Sequence, residues 1–218
     1  MQALHLAFDT STSRPCVALM AGDRVLSEWL GPDSLKHHET LLIGIDQCLK
    51  GYELRDLAFL SVGVGPGTFT GLRIGITTAK FLADPLKIPC VEVSSLRALG
   101  EQNPQPDHTV WAVADAKAKR VYATKISASL TTSGEEECVA LAPEAFAAQI
   151  QADDFLLGEG AWIYRAHWPQ SVTLASEEEN LLRGSSIGKL GWRLYQQGLT
   201  VSANELQPKY LKAGNSVV

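Results

Sequence analysis

An α/β fold in two lobes follows from three features of the 218-residue sequence. Three short strand patterns precede the first helical one. An apolar run, Leu57–Val64, enters a glycine-rich turn at Gly65–Arg73 and leaves it as a helix, and one proline-containing segment, Glu101–His108, divides the chain. A plain doubly wound sheet alternates strand and helix from its start, so the triple-strand opening specifies a different winding.

Leu4–Phe8 is a short apolar run that ends at Asp9 and the polar cluster Thr10-Ser11-Thr12-Ser13. Pro15–Met20 and Val25–Leu30 are the next strands, with Ala21-Gly22-Asp23-Arg24 as the hairpin turn between them. Over Leu35–Leu49 the period becomes helical: Leu41, Leu42, Ile45 and Leu49 share a face, with His38 one turn earlier. Leu57–Val64 is nearly continuous in apolar residues, as in a strand buried on both faces. Leu72, Ile76, Ala79 and Phe81–Leu82 then mark a helix stopping before Pro85. Ile88–Val93 returns to strand, and Ser94–Glu101 is a short helix with Ser94 or Ser95 as N-cap. Two prolines and no large apolar residue make 101–108 a linker. Beyond it the pattern gives strands at Thr109–Ala114, Arg120–Ser127 and Asp154–Leu157, a helix from Pro143 and another over Ile187–Gln197. The expected division is a fuller lobe at 1–100 and a smaller one at 109–218.

The net charge of −5, with acidic runs at Glu135–Glu137 and Glu177–Glu179, argues against unaided RNA binding. Phosphate neutralisation by a basic face supplies most non-specific affinity for RNA. Cysteines at 16, 48, 90 and 138 form no close pair, which suits free thiols in a reducing cytoplasm better than a disulfide framework or zinc knuckle. The N-terminus lacks a basic n-region, and no apolar run approaches the ~20 residues of a spanning helix. The expected location is cytoplasmic, away from membrane.

The glycines at 65, 67 and 71 allow positive φ and close approach, and such loops point N–H groups at anions. Three named motifs fail on it. A P-loop needs Lys-Ser/Thr after its last glycine, where Leu72-Arg73 stand; a nucleophile elbow needs serine where Phe69 stands; a dinucleotide fingerprint finds Gly71 one place late. An anion cradle and a ligand-free tight turn both stay open. Asp9 is likewise either a carboxylate for a metal–phosphate or the cap of its own turn. The candidate nucleotide or anion set is Asp9, Thr10, Ser11, Gly65, Gly67 and Thr68. His37-His38-Glu39 has neighbouring imidazoles ~100° apart on a helix, and Leu42 occupies the position a helical zinc motif needs for histidine. Asp115 with Lys117, Lys119 and Arg120 is a small mixed-charge cluster without interleaved aromatics, so it is not a base-stacking platform.

The strand order is that of each lobe in the actin, heat-shock chaperone and sugar-kinase group, the actin-like ATPase (ASKHA, ribonuclease H-like) fold. More specifically, Asp9-Thr10-Ser11 after a strand, the His38-x-x-Leu41-Leu42 helix, the string Gly65–Gly75 and Pro208-Lys209-Tyr210-Leu211-Lys212 together resemble the TsaB (YeaZ) family. The resemblance spans nearly the whole chain, and the glycine string is its most specific part. It implies an actin-like fold with a reduced second lobe and a partner role in attaching threonylcarbamoyl to N6 of adenosine 37 of tRNAs that read ANN codons. The implied partners are the catalytic relative TsaD and the ATPase TsaE, with tRNA met indirectly through the complex. The implied contact is a four-helix interface with TsaD through His38, Leu41, Leu42, Ile45, Leu49, Leu72, Arg73, Ile76 and Ala79. The same face could form a homodimer when the chain is alone. TsaD holds its metal with a His-x-x-x-His pair after a strand; Ser95 and Leu99 occupy the matching places, so the resemblance implies a non-catalytic subunit. No intrinsic cofactor or metal is expected, with ATP or ADP at a site shared in the complex.

Two positions depart from the family: Arg120 replaces a glutamate, and Lys212 replaces an arginine and loses its bidentate fork. The alternative reading is an ATP-binding phosphotransferase or ATPase acting alone through Asp9 and the glycine loop. A dinucleotide oxidoreductase conflicts with the three-strand opening, and a protease lacks both a serine elbow and a metal motif.

Overall fold

The computed structural model describes residues 2–33, 37–102, 108–126 and 138–209, side chains of 37–39 excepted. Two compact units divide the chain: Met1–Ser95 with Arg183–Pro208, and a second built on Leu96–Leu182.

In the first unit, β1 (Leu4–Asp9), β2 (Cys16–Ala21) and β3 (Arg24–Leu30) run antiparallel in sequence. Helix α1 (His37–Cys48) leads to β4 (Phe59–Gly65), which returns parallel to β1. Helix α2 (Phe69–Leu86) leads to β5 (Cys90–Ser94), parallel to β4, and the sheet reads β3-β2-β1-β4-β5. Alternation along the strands sorts the two faces. Leu6, Phe8, Val17, Leu19, Leu60, Val62 and Val64 pack with Leu41, Ile45, Ile76, Ala79 and Ala83 of α1 and α2. The opposite face carries Ala7, Ala18 and Ser61 beside His5, Met20 and Phe59, and α6 (Gly184–Gln196) lies on it. A Cβ at Gly184, Gly188 or Gly191 would overlap Val17, Met20 or Ser61 respectively, so glycines on one side of α6 bring its backbone onto the sheet.

The second unit repeats the winding. Strands β6 (Val110–Asp115), β7 (Val121–Ile126) and β8 (Cys138–Leu141) are antiparallel neighbours. Parallel to β6 comes β9 (Phe155–Leu157), and parallel to that β10 (Thr173–Leu174), in the order β10-β9-β6-β7-β8. Its helices α4 (Pro143–Ala147) and α5 (Glu159–Ile163) have five residues each, where α1 and α2 have 12 and 18. The result is the expected α/β, actin-like pair of lobes with a reduced second one.

Several expectations need correction. Helix α6, expected within 109–218, belongs to the first unit, where its glycines lie against Val17, Met20 and Ser61. Helix α3 (Ser95–Gln102) extends into the expected linker, and its Leu99 and Gly100 lie against Gly158 and Ile126 of the second unit. Residues 103–107 fall outside the described ones, as do 34–36, 127–137 and 210–218. Pro85 does not stop α2. It sits in the last turn on the exposed side, and the helix ends at left-handed Lys87. Strands β8 and β10 and helix α5 were not foreseen.

Candidate functional site

The turn after β1 is built around one carboxylate. Asp9 Oδ1 accepts the Ser11 N–H and O–H, each at 2.6 Å, and Oδ2 accepts the Ser95 hydroxyl. Ser95 Oγ in turn accepts the Gly65 N–H at 3.1 Å, so the ends of β1, β4 and β5 are tied through a single side chain. Gly63 is glycine because a Cβ there would strike the Asp9 carboxylate, and Gly65 holds φ +105, a left-handed value that favours glycine. Asp9, Thr10, Ser11 and Ser95 are all buried. Thr10 Oγ1 donates to the Gly71 carbonyl at 2.7 Å, and the Thr68 N–H donates to the Ser11 carbonyl at 2.9 Å. The six residues expected to receive a nucleotide or anion are therefore brought together, and their polar groups bond to one another and to the start of α2. Ser95, matched by resemblance to an imidazole position of TsaD, serves here as a hydroxyl bridge.

Helix α2 has two faces at helical spacing. Leu72, Ile76, Ala79 and Ala83 point into the core, while Phe69, Arg73, Thr77 and Phe81 form an outward row at i, i+4. Phe69 is 54% exposed and Phe81 77%. The Arg73 guanidinium lies 3.8 Å from the centre of the Phe69 ring, a cation–π stack that limits both side chains. On α1, Leu42 and Ile43 are also exposed, at 56% and 53%. Leu42, Phe69, Thr70, Arg73, Ile74, Thr77 and Thr78 line a groove of about 500 Å³.

The residues expected at the partner interface divide between core and surface. Leu41, Ile45, Leu72, Ile76 and Ala79 are buried in their own unit, and Leu49 packs against the same core. A side chain that fills the monomer core cannot also fill a partner. Leu42 and Arg73 keep their outward place, and the His38 side chain lies outside those described. Ile43, Phe69, Thr77 and Phe81, outside the expected set, are exposed beside Leu42 and Arg73. The signal was available: they sit on the apolar or neutral side of each helix opposite the periodic core stripe.

A serine–histidine pair sits on the other face of the sheet. His5 Nε2 donates to the Gly22 carbonyl at 2.9 Å, which leaves Nδ1 to accept the Ser61 hydroxyl at 3.1 Å. Both are fully buried, Phe59 stacks on the imidazole at 4.3 Å, and Gly191 of α6 closes over Ser61. Burial lowers the His5 pKa to about 4, against a weaker opposing pull from the Gly22 carbonyl. A hydrolytic nucleophile must reach a carbonyl carbon, and this serine reaches only protein.

In the second unit Asp115 ends β6 as Asp9 ends β1. Its Oδ1 accepts the Lys117 N–H at 2.9 Å and the Tyr164 hydroxyl at 3.1 Å, and its Oδ2 the Lys117 ammonium at 2.6 Å. Burial works to raise the Asp115 pKa, but the bonds from Lys117 outweigh it and hold the carboxyl below its usual range. Lys117, Ala118 and Lys119 all adopt left-handed φ. Arg120 donates to the Ala140 carbonyl at 2.5 Å, so this departure from the family braces β7 to β8.

Comparisons with known proteins agree with this architecture. Residues 33–161 match the family model described as TsaD, tRNA N6-adenosine threonylcarbamoyltransferase. The chain is 29% identical to the tRNA threonylcarbamoyladenosine biosynthesis protein TsaB of Haemophilus influenzae, over 95% of this chain and 92% of that protein. The solved structure of YeaZ from Pseudomonas aeruginosa is similar with a TM-score of 0.81 at 30% identity, over 96% of this chain and 100% of that one. Component A of (R)-2-hydroxyglutaryl-CoA dehydratase from Acidaminococcus fermentans, at TM-score 0.51 and 9% identity over 90% of this chain and 99% of that one, shares the fold alone.

Proposed function

This chain belongs to the TsaB (YeaZ) family of tRNA threonylcarbamoyladenosine biosynthesis, and we propose that it is the non-catalytic partner that docks and activates a TsaD-like transferase. The carrying observation is the α1–α2 groove lined by exposed Leu42 and Phe69, with Arg73 stacked on Phe69 and with Ile43 and Phe81 exposed on the same two helices. A partner whose family model matches this chain over 33–161 offers helices of the same winding, and pairing two such faces buries both. Phenylalanine and arginine held in place before binding lose little entropy on association, which is how interface anchors act. Two copies of this chain would pair through the same face in the absence of the transferase.

The remaining roles follow from what the chain's own groups are doing. Its titratable and nucleophilic candidates are used internally: Asp9 by Ser11 and Ser95, and Ser61 by His5. We assign the chemistry to the transferase, and ATP or ADP to a site completed by partners, including a TsaE-like ATPase that the docked pair recruits. A net charge of −5 leaves the grip on tRNA to the partner as well. Among the described residues no helix is long and apolar enough to cross a membrane, and all four cysteines are free thiols. We place the assembly in the cytoplasm.

Because Leu42 is exposed in the monomer, Leu42→Asp leaves the fold intact and buries a carboxylate only on docking. The expected result is loss of co-purification with the organism's TsaD-like subunit, at least a hundredfold weaker binding, and loss of modified adenosine in a reconstitution with TsaE, the adenylate-forming enzyme and tRNA. Undiminished binding by that variant would place the interface elsewhere.

A further inference from the structure

The turn after β1 and the first turns of α2 fit one another as a slot and key. Thr10 is fully buried, and its hydroxyl donates to the Gly71 carbonyl at 2.7 Å. A Cβ at Gly71 would overlap the Thr10 carbonyl, and a Cβ at Gly75, one helical turn on, would overlap Thr10 Oγ1. Gly67 would strike Ser11 in the same way, and the Thr68 N–H is bonded to the Ser11 carbonyl. The turn itself cannot drift, because Asp9 holds Ser11 through two hydrogen bonds and is held by Ser95. The outward side of those same two helical turns carries Phe69 and Arg73.

We infer that the Asp9-Thr10-Ser11 turn is a positioning device, setting the depth and tilt at which α2 presents Phe69 and Arg73 to the partner; this rests on the docking reading above. Carboxylate, hydroxyls and glycines that the sequence offers as a ligand cradle are spent on locating a helix. A radial gap of ~0.5–1 Å already forfeits a quarter to a half of a packing contact, so a small outward shift of the α2 N-terminus is felt at a close-packed interface.

The test compares three changes inside the slot with two controls. Gly71→Ala pushes α2 away, Thr10→Val removes the hydroxyl at nearly constant shape, and Thr10→Ser retains it. Phe69→Asp probes the docking face, and Ser61→Ala destabilises the opposite face of the same sheet. Amide exchange of the free chain reports on residues 69–76, and calorimetry gives affinity for the organism's TsaD-like subunit. Gly71→Ala and Thr10→Val should speed exchange over 69–76 about tenfold relative to α6 and weaken binding about tenfold. Thr10→Ser should preserve both, and Ser61→Ala should lower Tm without changing affinity. Unchanged exchange over 69–76 in Gly71→Ala and Thr10→Val overturns the inference. So does unchanged binding by those two variants while Phe69→Asp abolishes it. Full binding by Phe69→Asp overturns the docking reading itself, and with it the role assigned towards the partner.

Discussion

The two units wind five strands in one order, and each ends its first strand on an aspartate that bonds the N–H two residues on. A left-handed glycine stands at the end of the fourth strand in the first unit, Gly65 with φ +105, and directly after it in the second, Gly158 with φ +104, and a second glycine follows two places later in both. What differs is the helices that come next: 12 and 18 residues in the first unit, five and five in the second. A five-residue helix has little more than one turn and covers the sheet with it. An 18-residue helix covers the sheet and has an outward row left over. The comparison teaches that the strand-end geometry is the shared chassis, while the long outward helical row, Phe69 to Phe81, lies in the first unit.

With short helices the second unit leans on aromatics. Phe146 of α4 stands edge-on to Trp111 at 5.2 Å and to Trp168 at 5.5 Å. Phe146→Ala should therefore cost about 3–5 kcal/mol, and amide exchange should show Val110–Ile126 opening while β1 and β4 stay protected. Equal loss of protection in both units would show that they melt as one and break the comparison.

Acid should separate the units next. His5 titrates near 4 when folded and near 6.5 when unfolded, so the unfolded chain binds the extra proton as pH falls between those values. First-unit stability should drop by about 3 kcal/mol across that window, since each pKa unit is worth about 1.4 kcal/mol. His5→Phe should flatten the slope, as followed by Trp192 fluorescence near the stacked Phe59. Asp115 has a lowered folded pKa, so its contribution is present above the unfolded value and is lost only as pH falls below it. The second unit's corresponding loss belongs to a more acidic window, and one acid transition common to both would count against separate behaviour. The smallest effect is expected for Tyr164→Phe, which removes one hydrogen bond to Asp115 and should lower second-unit stability by about 1 kcal/mol, read from its thermal transition.

Much of this was legible beforehand, for physical reasons. Three strands before a helix, and a buried run into Gly65, are long-range periodic signals that tertiary packing reinforces rather than overrides. Periodicity marks the side a helix buries first: Leu41, Ile45, Leu72 and Ile76 satisfy their own sheet, so the docking face we propose is made of the residues beside them, which carry no such spacing signal. Helix α6 was assigned to the wrong lobe because sequence order says nothing about which sheet has room for glycines 184, 188 and 191. Strand β10 and helix α5, two and five residues long, are too short for an apolar spacing to repeat, and α5 lacks the proline that marks the start of the equally short α4.

The exchange of helices between units has a consequence for synthesis. Helix α3 leaves the first unit to join the second, and α6 leaves the second to join the first. When residue 95 emerges from the ribosome, the face of the first sheet bearing His5 and Ser61 has no cover, and its cover is encoded by residues 184–196. At about 5–20 residues per second that wait lasts on the order of ten seconds. A chain cut in the linker would never receive α6, so the first unit is a folding unit in space without being one along the sequence.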